Sequence, residues 1–243
     1  MSRSFGRGRL CNQLIRNLAS SLISEKFDLY TEYSCYDIIK RLGISLYVGK
    51  NKYNNTIVLN DSNYFDILNK SILTSNIDPY MGYFQTRQIT NFIYNHLHSE
   101  SVKSSVVEAN PFKERYFKNN DIYIHLRLDD AKQWSPGLQY YLKAVGAVGV
   151  HDKIYISTDE KEHLIVKQIL EKYPQASLLE SEEIQTIQFA STCKNIILSH
   201  GSFSAIIGYL AYYSNVTYPD YSLASVGWFG DMFSIDDWNK LTI

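Results

Sequence analysis

The second half of this chain predicts an α/β fold built on a parallel sheet. Two observations carry that expectation: short apolar runs recur at 122–128, 153–157 and 195–199, and each is followed by a helix-like segment. Strands alternating with helices are the mark of βα units, which place their strands side by side and parallel.

The elements follow in order. In SFGRGRLCNQLIRNLASSLISEKF (4–27), Gly6 and Gly8 precede a stretch in which Leu10, Leu14, Leu18 and Leu22 recur every four residues, with Ile15 and Ile23 beside them. That spacing predicts an amphipathic helix opened by a glycine-rich turn. The segment 28–77 is mixed, with one short apolar run, TIVLN (56–60). DPYMGYFQTRQITNFIYNHL (78–97) reads as a turn leading into a helix, and ANPFKERYFKNND (109–121) is polar, aperiodic and carries a proline, so a linker is expected there. This places a domain boundary at 118/119, with halves 1–118 and 119–243.

NDIYIHLRLDDA (120–131) opens the second half. Alternation along a strand puts Ile122, Ile124, Leu126 and Leu128 on one face and His125, Arg127 and Asp129 on the other. A polar row of that kind is either a wet sheet face or the floor of a site. GLQYYLKAVGAV follows, then the strand KIYIS (153–157). In TDEKEHLIVKQILEKYP, both Ser157 with Glu160 and Asp159 with Glu162 fit a capping box, and Pro174 marks the stop. A further helical stretch spans 182–193, then comes the strand NIILS and the loop-to-helix segment HGSFSAIIGYLAYYS.

Composition bounds the function. Of 243 residues, 45% are hydrophobic and 20% charged, an ordinary globular balance. The 24 Lys and Arg against 25 Asp and Glu leave a net charge of −1, so no overall electrostatic pull toward nucleic acid follows. Three cysteines without a CxxC pair argue against a disulfide framework or a zinc site and for a reducing, cytoplasmic setting. No apolar run is long enough for an integral membrane segment. The 20 tyrosines offer flat rings with a polar tip, useful against sugars, although abundant Asn, Lys and Ile trace most of them to coding bias.

Ligands of open α/β sheets gather outside the carboxyl ends of the strands. His125 and Arg127 lie near one such end, and SHGSFS (199–204) runs from another into a helix N-terminus. Free N–H groups there favour an anion, Ser202 and Ser204 add hydroxyls, and the Arg127 guanidinium matches a phosphate in a bidentate fork. With the glycine turn before the first helix, the set points to a diphosphate. Taken singly, each has a structural reading: an ordinary turn, a helix cap, an ion pair of Arg127 with Asp129 or Asp130. GRGRLC lacks the third glycine of a dinucleotide fingerprint and follows too few residues for a proper strand. There is no P-loop, D-x-D, H-E-x-x-H or nucleophile elbow, so no motif asks for a metal.

In order, GRLCNQL (8–14), GYFQT (82–86), HLRLDD (125–130), YISTDE (155–160) and SHGSFS (199–204) resemble the fucosyltransferase superfamily, most of all the α-1,2-fucosyltransferases of glycosyltransferase family 11. The closing YPDYSLASVGWFGDMFSIDDWNKL (218–241) is similar as well. The resemblance implies a GT-B-like α/β fold, two Rossmann-like halves facing a cleft, with an N-terminal acceptor-side domain and a C-terminal nucleotide-sugar-binding domain. It implies an inverting transfer of L-fucose from GDP-fucose to a glycan hydroxyl, without metal or other cofactor. Residue by residue, Arg127 would neutralise the diphosphate and His125 shape the donor site; no general base stands out, Asp130 and His125 being the candidates, and a strongly oxocarbenium-like transition state would need little base help. Gly8 and Asn12 would approach the donor, Ser202, Phe203 and Ser204 would hold phosphate, and Asp159 would contact the nucleoside or serve only as a helix cap. Two positions depart from the pattern, Cys11 and Asp129, where the family carries glycine. They keep open a non-catalytic nucleotide- or sugar-binding relative and a transferase of another GDP-deoxyhexose. The short chain suggests trimmed loops or a missing first strand.

Overall fold

The computed structural model describes residues 1–6, 8–220 and 231–242. Part of the family-like closing stretch, 221–230, lies outside the described residues. The chain forms two compact units, Met1–Ser105 and Val106–Ile243.

In the first unit β1 (Ser2–Ser4) leads through the glycine turn into α1 (Leu10–Phe27). The unit continues with β2 (Thr31–Tyr33), α2 (Tyr36–Lys40), β3 (Thr56–Val58), α3 (Tyr64–Leu68), β4 (Asn76–Asp78), α4 (Arg87–Leu97) and α5 (Glu100–Ala109), the last crossing the division. β1 pairs with β2 and β3 with β4, both parallel, and β1 runs beside β4, where the Ile77 N–H donates to Ser2 Oγ at 3.0 Å. The first strand is therefore present, and three residues suffice for it. Helix α1 is buried on more than its apolar stripe. Leu14, Ile15, Leu18 and Ile23 enter the core, while Asn17, Ser20 and Ser24 are buried on a polar side, where Ser4 Oγ donates to Asn17 Oδ1 at 2.6 Å. Leu10 and Leu22 are only half-buried.

The second unit holds one six-stranded, all-parallel sheet of β5 (Ile122–Leu126), β6 (Ile154–Thr158), β7 (Ser177–Leu178), β8 (Asn195–Ile197), β9 (Asn215–Pro219) and β10 (Asn239–Leu241). Its helices are α6 (Leu138–Val148), α7 (Leu164–Lys172), α8 (Glu183–Ala190) and α9 (Gly201–Tyr209). The strand order is β10-β9-β8-β5-β6-β7. Counted from β5 this is the 3-2-1-4-5-6 order of the Rossmann sheet, and the direction of winding reverses between β5 and β8. All five residues of β5 are buried, so its His125 face is no wet surface; the strand stops at Leu126, one residue short of Arg127. Ile122, Ile124, Ile156, Val166 and Ile169 join Tyr140 and Tyr141 in the core.

Two local expectations are corrected. Helix α7 starts at Leu164 with His163 as its N-cap, whose ring accepts from the Ile165 N–H at 3.2 Å. Neither proposed capping box forms, because Ser157 is drawn into a hydrogen bond with Tyr123 and Asp159 accepts from the β5 exit. Residues 106–118, assigned from sequence to the first half, fall in the second unit. They are no free linker: Asn110 Nδ2 donates to Gln188 O at 2.8 Å, and Arg115 pairs with Asp121 at 2.6 Å while lying 4.3 Å from the Phe189 ring centroid.

Candidate functional site

The loops leaving β5 and β8 lie at the winding reversal, the kind of position at which ligands of open α/β sheets gather. Both loops carry the residues singled out from sequence. After Leu126, Arg127 turns off the strand, its N–H directed at Ser199 Oγ at 3.4 Å. Asp159, just past β6, accepts the Leu128 and Asp129 N–H groups on one oxygen, at 2.6 and 3.2 Å. A single carboxylate thus fixes the path of the β5 exit.

From β8 the chain enters α9 through His200, which occupies the N-cap position without a side-chain capping bond to the first turn. Gly201 has φ +87°, and a Cβ there would stand 3.6 Å from Arg127 Cδ and 3.9 Å from Nε. The stem of Arg127 therefore lies directly over the start of α9. A guanidinium and a helix N-terminus, each attractive to an anion, share one place. The Arg127 side chain is 18% exposed, and its guanidinium donates to Asp130 Oδ1 at 2.6 Å, a carboxylate that is itself 48% exposed.

Beneath this surface lies a buried polar layer. Ser204 Oγ accepts from the Ser199 N–H at 3.1 Å and bonds His125 Nδ1 at 2.6 Å. The Phe203 ring sits 5.1 Å from that imidazole. Tyr141 OH donates to Ser199 Oγ at 3.1 Å, and the same oxygen is 3.2 Å from His200 Nδ1. Burial, reinforced by the charges of His200 and Arg127, pushes His125 down to about 3. Burial and then Arg127 push His200 down to about 4. Both rings are neutral at pH 7, which leaves Arg127 as the cation of this layer.

The structure thus brings His125, Arg127, Asp130, Asp159, Ser202, Phe203 and Ser204 together in the second unit, but not all in the roles expected. Ser204 is fully buried and its hydroxyl is committed to His125 and Ser199, so it pins the turn and is not free for a phosphate, whereas Ser202 is half-buried in the first turn of α9. His125, 6% exposed and neutral, holds Ser204 and is poorly placed to take a proton from a substrate. Asp130, not Asp129, is the partner of Arg127.

Gly8 and Asn12 belong to the first unit and meet each other there. Gly8 has φ +107°, and a Cβ on it would come within 2.9 Å of Asn12 Cβ. Asn12 Oδ1 accepts from Gln85 Nε2 at 2.8 Å, and Arg16 Nε donates to Gly82 O at 3.2 Å, so GRLCNQL and GYFQT form one interlocked patch. Cys11 is 2% exposed and turned into the core, away from any approach over the turn. Ser199, His200 and Tyr141 were not singled out beforehand, nor was Asp61, which accepts the Tyr83 and Gln85 N–H groups at 2.9 and 3.0 Å. His200 had a visible signal, a histidine immediately before the glycine of a strand-to-helix junction. Tyr141 and Asp61 had none.

Among the described residues, no group of three or more His, Cys, Asp or Glu is arranged to hold a metal ion, and no helix is long and apolar enough to cross a membrane. No family model and no curated protein matches the sequence. Solved structures that match include NodZ alpha-1,6-fucosyltransferase soaked with GDP-fucose, at 13% identity and a TM-score of 0.36, over 58% of this chain and 53% of that one. NodZ from Bradyrhizobium matches at 15% identity and a TM-score of 0.36, over 59% and 56%. POFUT1 in complex with GDP matches at 12% identity and a TM-score of 0.47, over 88% and 95%. The chain spans about half the length of the NodZ chains.

Proposed function

We propose that this chain is a metal-independent, inverting glycosyltransferase that takes L-fucose from GDP-fucose and places it on a glycan hydroxyl, in the manner of an α-1,2-fucosyltransferase. The observation that supports the reading is the Arg127 stem lying over Gly201 at the winding reversal of a Rossmann-ordered sheet. The ordered motifs that resemble family 11 supply the donor and the acceptor class.

In this reading the diphosphate displaces Asp130 from Arg127 and takes the N–H groups at the start of α9, with Ser202 as a hydroxyl donor. The acceptor oxygen bonds to the anomeric carbon from the face opposite the leaving group. The carbon–oxygen bond to the β-phosphate breaks, and GDP departs with the electron pair. Charge grows on the phosphate oxygens as that happens, and donors already aimed there lower the barrier without reorganising. Asp130, released from Arg127, is the carboxylate at hand to take the acceptor proton. His125 and Ser204 act at one remove, by holding the turn.

Calorimetric titration with GDP and a transfer assay with GDP-fucose over a glycan panel test this. Arg127→Ala is expected to lose GDP binding and to lower transfer by about two to three orders of magnitude. Chelator is expected to leave the wild type active. Full activity in Arg127→Ala, or a strict requirement for manganese, refutes the assignment. A second reading, a non-catalytic binding relative, is favoured by one observation: Arg127 is already paired with Asp130, beside Asp129 where the family has glycine. GDP binding without turnover on any acceptor would select it.

A further inference from the structure

The first unit carries a second concave surface, apart from the patch around Asn12. Ser2 and Ser4 point inward from β1 and are fully buried, Ser4 on Asn17 and Ser2 on the Ile77 N–H. By alternation Arg3 and Phe5 face the other way. They border a space of about 570 Å³ whose lining also includes Thr56, Ile77, Asp78 and Tyr80. That volume is within the range of small-molecule sites. Phe5 and Tyr80 are each 45% exposed there, so each presents ring surface that nothing in the unit covers.

The rim continues as a ledge. Tyr80, Met81 and Tyr83 are 45%, 71% and 61% exposed in the segment that begins at Pro79, which makes one turn at 80–81 and then runs on irregularly. Their backbone is tied down: the Tyr80 N–H donates to Asp78 Oδ1 at 3.0 Å, the Tyr83 N–H to Asp61 Oδ2 at 2.9 Å, and Gly82 O accepts from Arg16 Nε at 3.2 Å. The following Phe84 is fully buried with φ 57°. Rings on a backbone fixed in this way have only side-chain rotation left to lose on binding. Fold stability gains nothing from their exposure.

The lining chemistry narrows the occupant. Ring faces at Phe5 and Tyr80 suit the C–H face of a pyranose. The Arg3 guanidinium, the Asp78 carboxylate and the Thr56 hydroxyl offer donors and acceptors for vicinal hydroxyls. Arg3 and Asp78 are the charged side chains of the lining, and Arg3 Nε already lies 3.5 Å from Glu32 Oε2, so no positive charge is left over for a phosphate or a sialic acid and a neutral polyol fits better. We propose that this surface binds a neutral saccharide of one or two pyranose units, with Phe5 and Tyr80 as stacking platforms. Its purpose, holding the acceptor glycan, rests on the transferase reading above; the binding itself does not.

The test is saturation-transfer NMR on the whole chain with lactose, chitobiose and 3′-sialyllactose, in the presence and absence of GDP. Ring protons of at least one neutral disaccharide are expected to receive saturation with or without GDP. Phe5→Ala and Tyr80→Ala should each weaken that affinity about tenfold, and Arg127→Ala should leave it unchanged. Phe5→Leu and Tyr80→Leu, which keep the bulk and lose the ring face, should fall with the alanine variants if either of those does not fold. The proposal is overturned if no neutral disaccharide gives a signal, if 3′-sialyllactose alone does, or if folded Phe5 and Tyr80 variants bind as the wild type. It is equally overturned if these variants abolish a concentration-dependent self-association, which would make the surface a contact between copies. GDP binding lost in Arg127→Ala alongside an absent sugar signal would sink this proposal and leave the donor site standing; the converse would do the reverse.

Discussion

Acidification is expected to unfold this protein from beneath its candidate site. His125 and His200 are neutral in the fold, pushed down to about 3 and about 4, chiefly by burial. In the unfolded chain each titrates near 6.5. Between those values the unfolded state binds protons that the native state refuses, so stability falls as pH falls through the unfolded value. From pH 7 to pH 5 each ring contributes a loss of about 2 kcal/mol, or about 4 kcal/mol for the pair. His96, also lowered by burial, acts in the same direction. The assay is urea unfolding followed by circular dichroism at pH 7, 6 and 5, above the range in which Glu162 and Glu180 lose their lysine partners. His125→Gln keeps a polar partner for Ser204 and removes one titrating group, so its loss between pH 7 and pH 5 should be smaller than that of the wild type by about 2 kcal/mol. A wild type equally stable at both pH values, or a variant with the same pH slope, would falsify the account of a buried neutral layer.

Other outcomes follow from the same geometry. Gly82→Ala would drive a Cβ to 2.4 Å from the buried Phe84 ring, so about 1–3 kcal/mol of stability should be lost, read as a lower urea midpoint. Asp159→Ala leaves the Leu128 and Asp129 N–H groups without their acceptor and should lower the melting temperature by about 3 °C. Asp159→Asn should restore most of that; if the asparagine variant folds normally but loses GDP binding, the carboxylate contacts the nucleoside after all. Asp130→Asn should bind GDP more tightly, because a competing charge leaves Arg127, yet transfer more slowly. An unchanged transfer rate would remove Asp130 as proton acceptor.

Three strands of the second-half sheet, β5, β6 and β8, were legible because they are largely buried and read as apolar runs of strand length, whereas β9 and the short, mostly exposed edge strands β7 and β10 were not. Where sequence reasoning failed, a long-range partner outcompeted a local one. Ser157 and Asp159 each sit at the right spacing for a capping box, but Tyr123 claims the first and the β5 exit the second. Nothing within the surrounding residues announces either partner, since Leu128 is 31 positions away from Asp159. Strand β1 was missed for a different reason: three residues, two of them serine, carry too little apolar signal, and their burial depends on Asn17 and Ser20 across the α1 interface.

Within the candidate site the same distinction separates residue type from role. Arg127 and Gly201 could be read from their positions after two strands, because topology alone brings those two ends together at the winding reversal. Alternation could not tell which of Ser202 and Ser204 would meet a ligand, because α9 turns them by helical geometry and sends Ser204 down onto His125. Nor could it show that the imidazole would be neutral, since that follows from burial under Phe203 and from the charge of Arg127. A cation held over a layer of uncharged donors is not opposed from below, whereas a charged histidine there would repel the guanidinium it supports; the charge that faces Arg127 is that of Asp130. The polar row that alternation predicts therefore divides by depth: His125 is buried within β5, and Arg127, one residue past the strand, is partly exposed.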